Sequence, residues 1–376
     1  MKKQHFFYFI LLIIGINQPV FAQKLPKKKK TLAAMTLTND YFMKKWSNVG
    51  KPIVTERTRP SNIWTRGVYY EGLMGLYKIN PKKAYLEYAI SWGEFHKWGL
   101  RNGIKTRNGD DQCCGQTYID LYLLDRKEER IRDIKASMDN LVNSDKKDDW
   151  SWVDALQMAM PVFAQLGVIY KDNRYYEKMF DMYDYSKNNH GDHGLFNATE
   201  GLWWRDKDFD PPYQTPAGKN CYWSRGNGWV VAALVRVLDV MPKDAPHREE
   251  YRTMYLTMMK ALQPLQRADG FWNVSLTDET DFGGKELSGT ALFAYGMAWG
   301  INNGLLDKQK YTPSVSKAWN GMMKDCVHTD GKLGFVQSTG KQPKDGQPVT
   351  FDKIPDFEDF GLGCFLLAGS EVYKMK

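Results

Sequence analysis

The 376-residue chain has little of what metal or thiol chemistry needs. Its five cysteines, Cys113, Cys114, Cys221, Cys326 and Cys364, are an odd number without a C-x-x-C pair. The neighbours Cys113 and Cys114 are poorly placed to bridge each other, so the thiols read as buried and neither a disulfide framework nor a zinc ribbon is indicated. Of six histidines, only His190 and His193 have H-x-x-H spacing, and they stand in the glycine-broken "NHGDHG" rather than in an H-E-x-x-H helix. A zinc site at this pair is therefore not expected. No serine sits in a G-x-S-x-G elbow, which removes the usual nucleophile triad. The lone G-x-G of "RGNG" lacks both the third glycine and the Lys-Ser/Thr of a phosphate loop. Strictly alternating strand patterns are scarce, and after residue 22 no apolar run approaches the length a bilayer requires.

What is present begins with "MKKQHFFYFILLIIGINQPVFA", residues 1–22: two lysines, an apolar core from Phe6 to Ile16 and a cleavage-like Val20-Phe21-Ala22. It reads as an export signal, which predicts a periplasmic or secreted protein with no stable membrane insertion after cleavage. Residues 23–35, with "KLPKKKK", read as a basic, solvated arm before a single domain over 36–376. Without Lys2 and Lys3 the chain keeps 50 basic and 44 acidic residues, a formal charge of +6. That balance suits an anionic partner, and export favours an acidic glycan over nucleic acid. Oligomeric state is not encoded in any pattern of this kind.

From about Met35 one unit recurs: a small-residue-rich apolar helix, a polar turn, an amphipathic helix, then a loop with glycine and an aromatic. Apolar helices are expected near 64–79, 111–124, 152–170, 226–241, 287–303 and 358–374. "GWVVAALVRVL" and "GTALFAYGMAWG" are apolar on nearly every side, as enclosed helices must be. The intervening segments carry one stripe. In "PKKAYLEYAISWGEFHKW", Tyr85, Tyr88, Ala89, Trp92 and Phe95 share a face, with Asn80-Pro81 as a helix start. Six enclosed and six one-faced helices, the first near Thr36 to Trp46 pairing with the last, predict an all-α (α/α)6 barrel; an open helical solenoid is the competing arrangement. Short strand pieces are expected in "DHGLFN", "DGFWNV" and "DGKLGFV".

Loops leading into the inner helices of such a barrel converge at one end of its axis, where a pocket forms. Those loops are rich in polar and aromatic groups. Trp223 and Trp229 of "CYWSRGNGWVVAALVRVL" offer flat faces for sugar rings, and Arg225 offers a planar fork for a carboxylate or sulfate. The same residues would also serve as core packing at a helix start. Asp154 lies at a helix start between Trp152 and an apolar continuation, where Trp150 and Trp152 would strip water from it and favour its protonated form while the helix N-terminus favours the carboxylate. Ser151-Trp152-Val153-Asp154 equally fits a capping box. Asp110 and Asp111 pose the same choice in the preceding loop.

"WVDALQMAMP", "DDQCCGQTYIDLY" and "YWSRGNGW" on this helical rhythm resemble glycoside hydrolase family 105, the unsaturated rhamnogalacturonyl hydrolases, with the unsaturated glucuronyl hydrolases of family 88 as relatives. The resemblance runs from about residue 36 to the end, and W-x-R-G-N-G-W is its most specific motif. It implies an (α/α)6 fold and removal of a 4,5-unsaturated uronic acid from lyase-generated oligosaccharides, with no metal or cofactor. By that resemblance Asp154 would be the catalytic acid. The second carboxylate would come from the Asp110–Asp111 pair, with Asp111 favoured. Trp152, Trp223, Arg225, Trp229 and, less closely matched, Trp64 would bind the sugar. Where some relatives have a histidine after G-L-F, this chain has "GLFNATEGLWWRD". Both rhamnogalacturonan and ulvan fragments fit the implied substrate class. The alternatives are another (α/α)6 carbohydrate enzyme, either an inverting glycosidase or a polysaccharide lyase, and a glycan-binding protein without activity.

Overall fold

A computed structural model of the chain describes residues 25–376; the expected export signal lies outside the described residues. Among the described residues, thirteen α-helices, two 3-10 turns (Glu128–Arg130 and Gln263–Leu265) and four two-residue strands make up the regular structure. The outer helices are α1 (Lys28–Lys45), α3 (Lys83–Phe95), α6 (Arg132–Val142), α8 (Arg174–Asn188), α10 (Arg248–Leu262) and α12 (Lys308–Asp325). The inner helices are α2 (Trp64–Ile79), α5 (Cys114–Leu124), α7 (Asp154–Tyr170), α9 (Ser224–Val240), α11 (Leu287–Asn302) and α13 (Asp359–Lys374). A short α4 (Gly109–Gln112) leads into α5.

The inner helices pack in the cyclic order α2, α5, α7, α9, α11, α13 and back to α2, so the ring is closed and the solenoid is ruled out. Burial follows the sequence pattern. Every residue of α11 from Leu287 to Gly300 is buried, whereas α6 buries only Ile134, Ser137, Met138 and Leu141, the stripe expected of a helix with one wet side. The closing seam depends on glycine. A Cβ on Gly363 would lie 2.2 Å from the Val68 carbonyl oxygen, and one on Gly72 would lie 2.5 Å from the Gly363 oxygen. Only a residue without a side chain lets α2 and α13 approach this closely.

Two boundaries differ from expectation. The lysine-rich segment is not a free arm: α1 starts at Lys28, Thr31 and Met35 are buried, and Trp319 Nε1 of α12 donates to Thr31 Oγ1 at 3.0 Å. The lysines at 28–30 stay in water on the other side of the same helix. Asn80 does not start α3; it ends α2, its backbone N–H returning to the Leu76 oxygen, and α3 begins only after Lys82. β1 (Ile53–Val54) pairs with β2 (Thr58–Arg59) where no strand is expected; of the loops expected to carry strand pieces, "DHGLFN" supplies β3 (Phe196–Asn197), which pairs with β4 (Leu202–Trp203), and "DGFWNV" forms no strand. Both pairs are antiparallel. Isolated bridges join Trp223 to Ser275 and Val327 to Leu333.

All six inner helices point the same way. Their N-termini meet at one end, where Trp64 lies edge-on to Trp229 and Arg66 bonds Asp359. Their C-terminal turns surround a polar cavity of about 80 Å³ whose lining includes Lys78, Asp120, Gln165, Asp239 and Glu371. Among the described residues no helix is long and apolar enough to cross a membrane.

Candidate active site

Asp154 is the first residue of α7, and the segment Trp204–Asp206 is pinned beside it. Val153 donates its N–H to the Arg205 oxygen at 3.0 Å, and Trp152 bridges to Asp206. The capping box does not form: no side chain caps α7. Instead the Asp154 carboxylate accepts from Arg205 Nε at 3.0 Å, while Arg205 Nη1 donates to Asp206 Oδ2. Asp154 is 8% exposed, so it is screened yet reachable. Arg205 is half-buried, and its Nη2 has no hydrogen-bond partner among the described residues.

The two aspartates of α4 behave differently. Asp111, favoured from the sequence, is fully buried and saturated: Oδ1 accepts from Arg101 Nε at 2.6 Å, and Oδ2 from Asn102 Nδ2 at 2.8 Å and Thr106 Oγ1 at 2.6 Å. It fixes the 101–106 loop and has nothing to offer a ligand. Asp110 is half-buried and lies within the field of Asp154. Loss of water, then the charge of Asp154, push its carboxyl up to about 6 against the pull of Arg101 and Arg205. The close seating of α4 on α7, where a Cβ at Gly109 would stand 3.3 Å from the Ala155 oxygen, brings the two carboxyls together.

The "YWSRGNGW" motif forms the wall behind these groups. Trp223 is 1% exposed and donates Nε1 to Gln337 Oε1 at 2.9 Å; Trp229 is fully buried. Neither presents a face to a sugar in this structure. Arg225, expected to offer a free fork, spends Nη1 on the Gln337 oxygen and Nη2 on the Ser338 oxygen, both at 2.7 Å, and lies over the rings of Trp223 and Phe360. Burial, opposed by Glu286 and then Asp154, lowers its proton affinity. Its role here is to hold the 337–338 loop. The aromatic surfaces left half-exposed are Trp64 and Trp152. Asn227, not singled out from sequence, accepts from the Trp203 N–H and donates to the Trp203 oxygen, both at 2.9 Å, and so orients the strand that leads to Arg205.

Other candidates are scaffold. Arg66 pairs with Asp359 at 3.1 Å beneath Trp46 and Phe42. His96 shares a 2.7 Å bond with Ser61 Oγ, and His328 stacks on Phe351. Among the described residues no three His, Cys, Asp or Glu side chains are grouped to hold a metal ion.

The sequence model of glycosyl hydrolase family 88 matches residues 34–376. The chain belongs to this family. A family 88 glycosyl hydrolase structure from Bacteroides vulgatus is 33% identical with a TM-score of 0.83, covering 93% of this chain and all of that one. The unsaturated 3S-rhamnoglycuronyl hydrolase of Formosa agariphila is 32% identical over 333 residues, 83% of this chain and 85% of the relative. A structure described as a polysaccharide lyase is 32% identical with a TM-score of 0.82, covering 92% of this chain and 97% of that one. The family 88 fold accounts for the two concentric rings.

Proposed function

We propose that this family 88 hydrolase removes the 4,5-unsaturated uronic acid from the non-reducing end of lyase-generated, rhamnose-containing oligosaccharides, with Asp154 and Asp110 as the reacting carboxyls. The observation that carries the reading is the Asp154–Asp110 pair where the N-termini of the inner helices meet, one member bonded to Arg205 and the other pushed up to about 6 by loss of water and the charge of its neighbour. A proton passes from Asp154 to C4 of the enol ether, leaving positive charge at C5 and the ring oxygen. Water adds at C5 as the Asp154 carboxylate takes its proton, and Asp110 lowers the cost of returning the pair to its singly protonated state. The C5 hemiketal opens to a ketone, which turns C1 into a hemiacetal that expels the remaining sugar. One water is consumed, and the electrons balance without an oxidant. Half-exposed Trp64 and Trp152 supply stacking surfaces.

The relative in Formosa agariphila supports a 3-sulfated rhamnose next to the uronate, as in ulvan. Lyase-generated ulvan and rhamnogalacturonan fragments, followed by ultraviolet absorbance of the double bond and by mass, test this. Asp154→Asn should reduce turnover by about 10³-fold or more, in line with removal of a general acid and base. Asp110→Asn should lower kcat with the melting temperature unchanged, whereas Asp111→Asn should mainly lower the melting temperature. The reading fails if Asp154→Asn stays active. Absorbance that rises rather than falls would favour the lyase description carried by one related structure.

A further inference from the structure

Arg205 is not placed as a simple structural ion-pair partner. Its Nε is on Asp154, its Nη1 on Asp206, and Nη2 is uncommitted on a side chain that is 19% exposed. A guanidinium against an acid that must donate a proton is a contradiction, because a neighbouring cation favours the carboxylate. The contradiction disappears if the cation leaves when substrate arrives. An unsaturated uronate carries a planar carboxylate, and a guanidinium that gives up Asp154 has its Nε–Nη2 edge open to match such a group.

We propose that Arg205 is an anion-drawn positioning residue: the substrate's carboxylate takes its guanidinium from Asp154, and Asp154 becomes protonated only when an acidic sugar occupies the site. This rests on the assignment of Asp154 above. The surroundings are consistent on every side. Asp110 of α4 lies within the field of Asp154, and also of Arg101 and Asp111. Asp206 remains as an alternative anchor that steadies Arg205 when it shifts. Lys341, paired to Asp208 at 2.6 Å and lying within the field of Arg205 and Asp206, adds positive charge at the rim. Buried Arg225 feels the charge of Asp154, but both its Nη groups are tied to backbone carbonyls and do not release. The Asn227 clamp on Trp203 sets the backbone from which Arg205 swings.

The test uses the full chain and a saturated glucuronyl-rhamnose disaccharide, which has no double bond to protonate. Calorimetry near pH 6 in two buffers of different ionisation heat should show uptake of roughly half a proton per sugar bound, since Asp110 already holds part of the pair's one proton at that pH, the linkage expected when binding raises a group's proton affinity. Arg205→Gln should bind more weakly with little uptake, and Arg205→Lys, which keeps the charge but not the fork, should fall between the two. With the unsaturated substrate, methyl esterification should cut the wild-type kcat about tenfold or more, but that of Arg205→Gln by less than about threefold, if one charge-assisted contact carries the effect. The kcat/KM limb on which activity falls with rising pH should move up by about one pH unit in Arg205→Gln. Wild-type binding without proton uptake, absence of binding, or equal ester discrimination in wild type and Arg205→Gln would overturn the proposal. Proton-linked binding by a wild type that consumes no double bond would instead sink the assigned activity and leave the Arg205 movement standing.

Discussion

Glu71, midway along α2, should make the stability of the barrel fall as pH rises from about 5 to 8. Its carboxyl is 1% exposed, accepts from Gln157 Nε2 at 2.8 Å and Cys113 Sγ at 3.4 Å, and has Arg236 no closer than 3.8 Å. Arg236 is shared, donating Nε to Gln116 at 2.6 Å and lying 3.8 Å from Asp120. Burial therefore outweighs the cation, and the carboxyl is pushed up from 4.5 to about 7. Between those values the folded chain keeps a proton that the unfolded chain has lost. The contribution is intact below pH 4.5 and lost as pH passes 7. Integrated across the window this is about 3 kcal/mol, or on the order of 5 °C in Tm for a chain of this size. Glu71→Gln is the clean perturbation. Gln157 Oε1 is buried without a partner, so the new amide N–H has an acceptor while its oxygen keeps the bond from Gln157 Nε2. The Tm of Glu71→Gln minus that of wild type, followed by circular dichroism at pH 5, 6, 7 and 8, should grow by several degrees as pH rises. Other titrations largely cancel in the difference. A difference constant to within about 1 °C would refute the reasoning.

Gly363→Ala should lower Tm by several degrees, the cost of overpacking being about 1–3 kcal/mol or more, because the new methyl would meet the Val68 carbonyl at 2.2 Å and backbone cannot step aside. An unchanged Tm would show that the α2–α13 seam is looser than drawn. None of the five cysteines should react with an aromatic disulfide reagent at pH 8 in the folded protein, and all should react in guanidinium. Each is buried, with Cys114 and Cys221 pushed up to about 12 mainly by loss of water.

The barrel was legible in the sequence because its inner helices have an unusual requirement. A helix enclosed on every side must be apolar or small nearly everywhere, and the stretches at 64–79 and 287–303 satisfy that within a residue of the observed ends. The start of α1 was hidden by local charge. Lys28 to Lys30 read as solvated, while the facts that reverse the reading, Thr31 under Trp319 and Met35 under Gly369, involve residues 288 and 334 positions away. The choice between Asp110 and Asp111 was hidden for a related reason. Neighbouring residues on a helix point about 100° apart, and which of them is consumed by the scaffold depends on how Arg101, Asn102 and Thr106 fold back. Arg205 did leave a trace, as a lone arginine after two tryptophans in the segment that departs from the family pattern. Its partner Asp154 lies 51 residues earlier in the chain.

The two arginines near the site illustrate why a motif marks a location better than it marks a role. A guanidinium is recognised in sequence by its capacity to bind anions, but in a fold it binds whatever acceptors are delivered to it. Loop 337–338 delivers two carbonyls to Arg225, and with a buried Nε and two occupied Nη groups that residue has no edge left for a substrate. Arg205 receives two carboxylates instead, keeps one nitrogen free and stays partly in water. The carbonyl contacts of Arg225 are released only if the 337–338 loop moves, because a carbonyl is part of the backbone. A carboxylate contact can be exchanged for another carboxylate at little net cost, since one charge-assisted contact replaces another. Changes within "YWSRGNGW" should therefore act through the wall and the 337–338 loop, whereas changes at position 205 should act on which anion is accepted and on the proton of Asp154.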